Sequence, residues 1–307
     1  MSAQTAAPSW PWHRGEVALQ EHVGIAGRMA ELGPRMIRDH LNAQHQAFFP
    51  LLPFAVLGSV DGEGRPWATL HEGAPGFLHA PDPLHLRVES PRDADDPAEA
   101  GLGDGAGVGL LGIELATRRR NRLNGRIERS GPEGFAIRVK ESFGNCPQYI
   151  RVRHEVDPDR ARESGPRPRV SDRLDAAARA VIAAAETFFV ASAVEAADGG
   201  WQVDVSHRGG PAGFVRIGAD DCLTIPDYSG NRCFNTLGNM LENPRAGLVF
   251  PDFTTGDLLQ MSGRTEIVLD PVEEERSKGA ERLWRFVPER VVFRAGALRL
   301  RFVTDVA

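Results

Sequence analysis

The chain has 307 residues, 41% hydrophobic and 25% charged, which is the composition of a soluble globular protein with a sizeable core. That length exceeds one ordinary domain, so two domains are the default expectation. A formal charge of -6 excludes the broadly basic face that general nucleic-acid or anionic-membrane binding requires, so any arginine cluster needs a local reason.

Residues 1 to 15 are rich in Pro, Ser and Ala around Trp10 and Trp12 and read as an arm laid on a surface; they lack the apolar core of a signal peptide. From Glu16 to Leu32, Val17, Leu19, Val23, Ile25 and Met29 recur at helical spacing, interrupted by Gly24 and Gly27, and a second helical piece follows Pro34. The stretch PFAVLGSVDGEGRPWATLHEG is a β-hairpin turning at Asp61 to Gly64. A strand over Leu84 to Val88 follows, then an acidic, glycine-rich loop from Glu89 to Gly107, expected to be mobile, then the buried-type strand GVGLLGIEL. Its GLGDGAGVG has no preceding strand or following helix and is no dinucleotide fingerprint.

RRRNRLNG, Arg118 to Gly125, places arginines at alternate strand positions, so that two or three cations share one face and suit an anion or an acidic partner surface; a solvated rim paired with Glu and Asp is the plainer reading. The charged, proline-rich stretch RHEVDPDRARESGPRPRVSD reads as a linker, dividing the chain into 1–155, 156–172 and 173–307.

In the second half, LDAAARAVIAAAET reads as a helix leading into the strand FFVASAV. WQVDVS alternates as a half-buried strand and is expected to form a hairpin with Gly213 to Ile217 through Gly209 and Gly210. CLTIPDY is a third strand closed by Pro226. SGNRCFNTLGNMLENP has the spacing of a short helix (Phe234, Leu237, Leu241) entered through Ser229 and Asn231, whose first turn offers free N–H groups to an anion. Asp257 to Val268 reads as a strand, Glu274 to Trp284 as a short helix, and FVPERVVFR and ALRLRFV as closing strands.

The halves repeat one another. TLHEGAPGFLHAPDPLHL aligns with VSHRGGPAGFVRIGADDCLTI, pairing His71 with His207, and GLLGIELATRRRNRLNGRIE aligns with GLVFPDFTTGDLLQMSGRTEI. A duplicated small β-barrel follows, and only the second copy retains the polar helix, so one phosphate site per chain is expected there.

With its Arg-bearing strand, short polar helix and the NPxxxLxF pattern of Asn243, Pro244, Leu248 and Phe250, the chain resembles the pyridoxamine 5'-phosphate oxidase-like, FMN-binding split-barrel superfamily. SFGNCPQYI resembles that group's CPxYI segment and offers Asn145, Gln148 and Tyr149 to a pocket. The resemblance implies a mainly β fold with some α, built as two tandem split β-barrels with short flanking helices. It also implies FMN held at its phosphate by Arg208, Asn231, Asn235, Thr236 and Asn239, with Pro226 and Asp227 beside it. Ser206 and His207 would flank the ring on one side, with Arg118, Arg120, Asn124 and Gln148 reaching from the other.

The family's phosphate segment usually carries Ser-Arg-Lys, whereas this chain has Ser229, Asn231 and Arg232 there, and it ends ALRLRFVTDVA rather than Arg-Leu-x-Pro. Oxidation of pyridoxamine phosphate itself is therefore not the expectation. The expectation is a cytoplasmic FMN-dependent oxidoreductase acting on a small molecule and reduced by a nicotinamide or another small reductant, either a homodimer or a chain whose duplicated barrels satisfy the family's dimer contact internally. The alternatives are a non-catalytic flavin or haem carrier or sensor with His207 as axial ligand, and an interaction module whose arginine strand binds an acidic partner. Cys146, Cys222 and Cys233 suggest neither a disulfide framework nor zinc, and Cys146 lacks an adjacent base. His40, His45, His79 and His85 read as surface or structural.

Overall fold

The alternating and continuous apolar runs of the sequence become strands of two sheets, seen in a computed structural model that describes residues 11–129, 131–161, 165–273 and 278–304. The chain begins with helices α1 (Arg14–His22), α2 (Ala26–Met36) and α3 (Ala43–Phe48). The first sheet comprises β1 (Phe54–Val60), β2 (Pro66–Glu72), β3 (Leu78–Asp82), β4 (His85–Val88), β5 (Gly107–Glu114), β6 (Arg119–Glu128) and β7 (Phe135–Gly144). After β8 (His154–Val156), β9 (Arg169–Ser171) and α4 (Ala176–Ala184) come β10 (Thr187–Glu195), β11 (Trp201–Gly209), β12 (Arg216–Ile217) and β13 (Leu223–Tyr228). Helix α5 (Asn235–Glu242), β14 (Arg245–Asp252), β15 (Asp257–Val268), β16 (Ala280–Arg294) and β17 (Arg301–Val303) complete the chain. Among the described residues no helix is long and apolar enough to cross a membrane.

The strand orders are β2-β1-β5-β6-β7-β4-β3 and β11-β10-β14-β15-β16-β13-β12, which are the same order taken twice, all antiparallel. Even the irregularities repeat. β6 and β15 each carry a bulge at a glycine, Gly125 and Gly263, where a Cβ would lie 2.8 Å from Ile137 or 2.9 Å from Phe286. Each half is a split barrel, with Leu57, Leu110, Leu123 and Phe135 inside the first and Phe188, Phe250 and Trp284 inside the second. A third apolar cluster joins the barrels: Phe54, Val56, Leu111 and Ile113 from one, Phe189, Val205 and Val249 from the other. Burying side chains of this size stabilises by about 1.5–3 kcal/mol each, so the barrels form one continuous core.

The N-terminal helices strap across both halves. His13 caps α1, its Nδ1 accepting from Gly15 N–H at 3.1 Å while Glu16 accepts the His13 N–H at 2.9 Å. Trp12 is buried and donates to the Met29 carbonyl at 3.0 Å, in a cluster with Phe143 of the first barrel and Cys233 of the second. Trp10 lies outside the described residues.

Several sequence expectations are corrected. β11 pairs with β10, not with Gly213 to Ile217; the latter contributes only β12, which pairs with β13. Pro226 lies inside β13 rather than closing it. Pro34 sits within α2, and the break between helices comes at Gly24, with φ 72°. The acidic loop is partly packed: Asp96, Ala98 and Glu99 are buried at a short 3-10 turn, Pro97–Gly101. Residues 280 to 284, expected as helix, open the long strand β16; 274–277 lie outside the described residues. The stretch expected as a linker is tied down by β8 on β17 and β9 on β16.

His71 and His207 are not counterparts. Val56 pairs with Leu70 and Leu111, Phe189 pairs with His207 and Val249, and Val56, Phe189, Leu111 and Val249 all belong to the inter-barrel cluster. Aligned on that shared face, Leu70 matches His207, Thr69 matches Ser206 and His71 matches Arg208.

Candidate functional site

A cleft of about 120 Å³ opens where the two barrels meet at the start of α5. β11 supplies Ser206, His207 and Arg208; β13 supplies Pro226, Asp227 and Tyr228; the turn before α5 supplies Asn231, Arg232 and Phe234. From the first barrel β6 contributes Arg120 and Arg122, and the segment after β7 contributes Asn145, Cys146, Gln148 and Tyr149. One chain therefore builds both walls.

The entry to α5 is unusual. Arg232 and Phe234 both adopt left-handed backbone, with φ of 59° and 64°, and the N-cap Phe234 offers no side-chain cap. Such strain persists only where surroundings enforce it. The first-turn residues Asn235, Thr236 and Leu237 all line the cleft, and no side chain caps this helix start.

Five arginines surround this opening: Arg120, Arg122, Arg208, Arg232 and Arg282. Most are partly neutralised. Arg208 and Arg282 share Asp227 at 3.1 and 3.0 Å, Arg232 pairs with Glu281 at 2.9 Å, and Arg122 reaches Asp204 at 3.3 Å and donates to Ser206 Oγ at 2.5 Å. Arg120 has no ion-pair partner among the described residues; it points at His207 Nδ1, 3.3 Å away. Burial, then the charges of Arg122 and Arg208, hold the Arg120 guanidinium down at about 10. The Nε atoms of Arg120, Arg122 and Arg208 are buried without a hydrogen-bond partner. Unmet donors beside an open helix N-terminus suit an anion.

Burial pushes the His207 imidazole well below its usual value, helped by Arg120, Arg208 and Arg153. The ring is thus neutral, set edge-on to Phe189 with centroids 5.6 Å apart, and its Nε2 is buried without a partner. At the mouth, Tyr149 and Tyr228 lie with ring centroids 5.1 Å apart.

Behind the cleft runs a buried carboxylate seam. Asp204 accepts from Asn124 at 2.8 Å and from Asn239 at 3.1 Å; Glu16 accepts from Asn235 at 2.5 Å; Glu141 accepts from Asn124 at 3.1 Å and Gln202 at 3.3 Å. Burial, then the Asp204 charge, raises Glu141 to about 7 and drives Glu16 well upward.

Of the residues picked from sequence, Ser206, His207, Arg208, Pro226, Asp227, Asn231, Asn235, Thr236, Arg120 and Gln148 line the cleft. Asn124 and Asn239 do not: both are spent on Asp204 in the seam, and Asn239 also meets Ser192 and His13. Arg118 sits on the exposed turn before β6 and faces a neighbouring groove instead. Arg282 and Asp204 were missed as site residues, while Arg232 was noted only as part of the phosphate segment and Arg122 only within the strand Arg118 to Gly125. Arg122 follows Arg120 by the strand period of two, as the alternate arginines of that stretch imply; Arg282 gave no signal while its segment read as a helix.

The first barrel has a matching cleft lined by His71, Ser90, Asp93, Asp96 and Arg294. There Asp96 accepts from Arg294 at 2.8 Å, from Gln260 at 2.9 Å and from Thr69, so carboxylates of the chain itself fill the space. No group of His, Cys, Asp or Glu among the described residues is arranged to hold a metal ion.

The family described as Pyridoxamine 5'-phosphate oxidase matches residues 174–303, the second barrel. No curated protein matches the chain. Similar solved structures include a point variant of HupZ from Group A Streptococcus, 16% identical over 39% of this chain and 98% of that one, TM-score 0.29. A FAD-binding protein of Mesorhizobium loti is 18% identical over 42% and 97%, TM-score 0.29. HutZ, the haem storage protein of Vibrio cholerae, is 13% identical over 40% and 95%, TM-score 0.28.

Proposed function

We propose, from the match of the second barrel to the family described as Pyridoxamine 5'-phosphate oxidase, that the inter-barrel cleft binds FMN and that the protein is a flavin-dependent oxidoreductase of a small-molecule substrate. One observation carries the reading: three arginine Nε groups are buried without partners at the uncapped start of α5. An anionic phosphate meets that need. The residues present fit the group: Arg120, Arg122 and Arg208 supply charge, Ser206 and Thr236 hydroxyls, and Asn235 a first-turn N–H.

When bound, the flavin supplies hydride or single-electron transfer, chemistry for which the protein needs no catalytic triad. The chain's own groups bind, orient and polarise. The neutral His207 lies with Arg120 against the cleft wall, and the two tyrosines give the mouth an aromatic surface. Both barrels of one chain line the cleft; a nicotinamide electron donor and assembly as a homodimer are further parts of this proposal. Haem fits less well, because His207 stands among Arg120, Arg208 and Arg153, which repel a cationic iron centre.

The test is the absorption spectrum of the purified protein with and without added FMN. Flavin bands near one equivalent per chain, with affinity falling at least about tenfold in Arg208→Ala or Asn235→Ala, are expected. A Soret band, or a colourless protein indifferent to FMN, overturns the reading.

A further inference from the structure

Beside the cleft lies a second, larger groove of about 390 Å³. α3 and the segment before it form one wall, the turn into β6 the other, and Gly144, the last residue of β7, with Asn145 the end that adjoins the cleft. Arg38, Arg118, Arg119 and Arg120 line it, and no carboxylate does. In a chain of net charge -6, four arginines gathered around one concavity that no acid lines repel one another unless an anion enters.

The arginines are held in place by the fold. Arg38 is fixed by a backbone bridge, its N–H donating to the Ser142 carbonyl at 3.0 Å and its carbonyl accepting from Ser142 at 2.7 Å. Arg119 lies over the Phe48 ring at 5.0 Å and is partly neutralised by Glu114, 3.8 Å away. Arg118 is held in left-handed backbone, φ 59°. Two buried polar atoms in the lining have no partner, His45 Nδ1 and Asn145 Oδ1, and the His45 ring is itself only 2% exposed. Burial, aided by Arg38, holds that ring neutral, down to about 4. Arg120 and Asn145 belong to both cavities, so the groove and the cleft share a wall.

We infer that this groove binds a small molecule carrying two or more phosphate charges, and that it is the seat of the anionic part of the substrate or electron donor whose reacting end enters the adjoining cleft. The first half of the inference rests on the groove alone. The second rests on the flavin reading above.

The experiment titrates inorganic pyrophosphate, at about 50 mM salt where unscreened charges count most, into the full chain with and without saturating FMN, by calorimetry. The variants are Arg38→Gln and Arg118→Glu, both with side chains outside the cleft, and Arg208→Ala inside it; melting curves confirm that each is folded. The expected result is pyrophosphate binding that persists in FMN-saturated protein, weakens about tenfold or more in the groove variants, and survives Arg208→Ala. Binding that FMN abolishes assigns the groove to the flavin itself and overturns the proposal. So does binding that only Arg208→Ala removes. If a polyglutamate peptide binds in an Arg118-dependent way while pyrophosphate does not, the groove serves an acidic polypeptide and the proposal falls. If FMN fails to bind yet pyrophosphate still depends on Arg38 and Arg118, the flavin reading falls and the groove stands.

Discussion

Glu141 shows how burial and a neighbouring charge set a single residue's behaviour. Its carboxyl is 8% exposed and is raised from 4.5 to about 7, first by burial and then by Asp204. Between those values the folded chain holds a proton that the unfolded chain has lost, so this group's contribution to stability is full below pH 4.5 and is lost as pH rises toward 7. The shift corresponds to at most about 3 kcal/mol. His207 acts in the opposite direction: neutral when folded, it lowers stability as pH falls below its usual 6.5. The raw profile therefore mixes the two, and the difference between wild type and Glu141→Gln isolates one. That variant is expected to melt higher than wild type at pH 8, with the gain shrinking toward zero near pH 4.5. A gain independent of pH, read by thermal denaturation, rules out a proton held at Glu141.

At the scale of elements, the position of α5 depends on a close crossing with α1. Gly15 and Gly238 face each other there: a Cβ on Gly238 would lie 2.7 Å from the Glu16 nitrogen, and one on Gly15 would strike the Gly238 carbonyl. Glu16, from α1, also accepts from Asn235 at the start of α5. Gly238→Ala is therefore expected to force the helices apart, costing about 1–3 kcal/mol and weakening FMN binding together with stability. Gly15→Ala attacks the same contact, so the double variant should cost less than the sum of the singles. Additive losses in denaturant melts rule out a shared crossing.

Much of this element order was legible from sequence, and the misreadings have physical causes. β1, β2, β5, α4, α5 and β15 carried clear periods bounded by turn residues. The β10–β11 hairpin was obscured because two glycine pairs compete for the turn. Gly199, at φ 77°, closes it next to Gly200, whereas Gly209 is small because a Cβ there would meet the Tyr149 carbonyl. The His71 and His207 alignment looked sound because the letters match. Only strand register reveals that their faces differ, since one residue of slip reverses a strand. Site residues on consecutive stretches, such as Ser206 to Arg208 and Asn231 to Thr236, could be read directly. Asp204 could not, because its importance comes from Asn124 and Arg122, 80 and 82 residues away.

For the whole molecule, duplication produced two clefts related by the repeated strand order, and only one is open. Thr69 matches Ser206, and Gln260 matches Arg122, since each of the latter two pairs with an inter-barrel residue, Val249 and Leu111. Where Arg122 and Ser206 face the start of α5, Gln260 and Thr69 face Asp96. The acidic loop thus places a carboxylate where the second half leaves room for an anion, and Arg294, 6% exposed, is neutralised by Asp96 and Asp93. Asp93 still pairs with Arg294 in Asp96→Ala, so that variant loses one of two counter-charges and the acceptor of Thr69 and Gln260, and is expected to cost about 1–3 kcal/mol. Removing both should be milder: Asp96→Ala with Arg294→Met recovers part of that loss, because the buried cation is gone and the Asp93 left behind is partly exposed to water. FMN should still bind at one equivalent per chain in both variants, since the open cleft is untouched. A double variant no more stable than Asp96→Ala alone, measured by chemical denaturation, shows that Asp96 acts through Thr69 and Gln260 rather than as the internal counter-anion of Arg294.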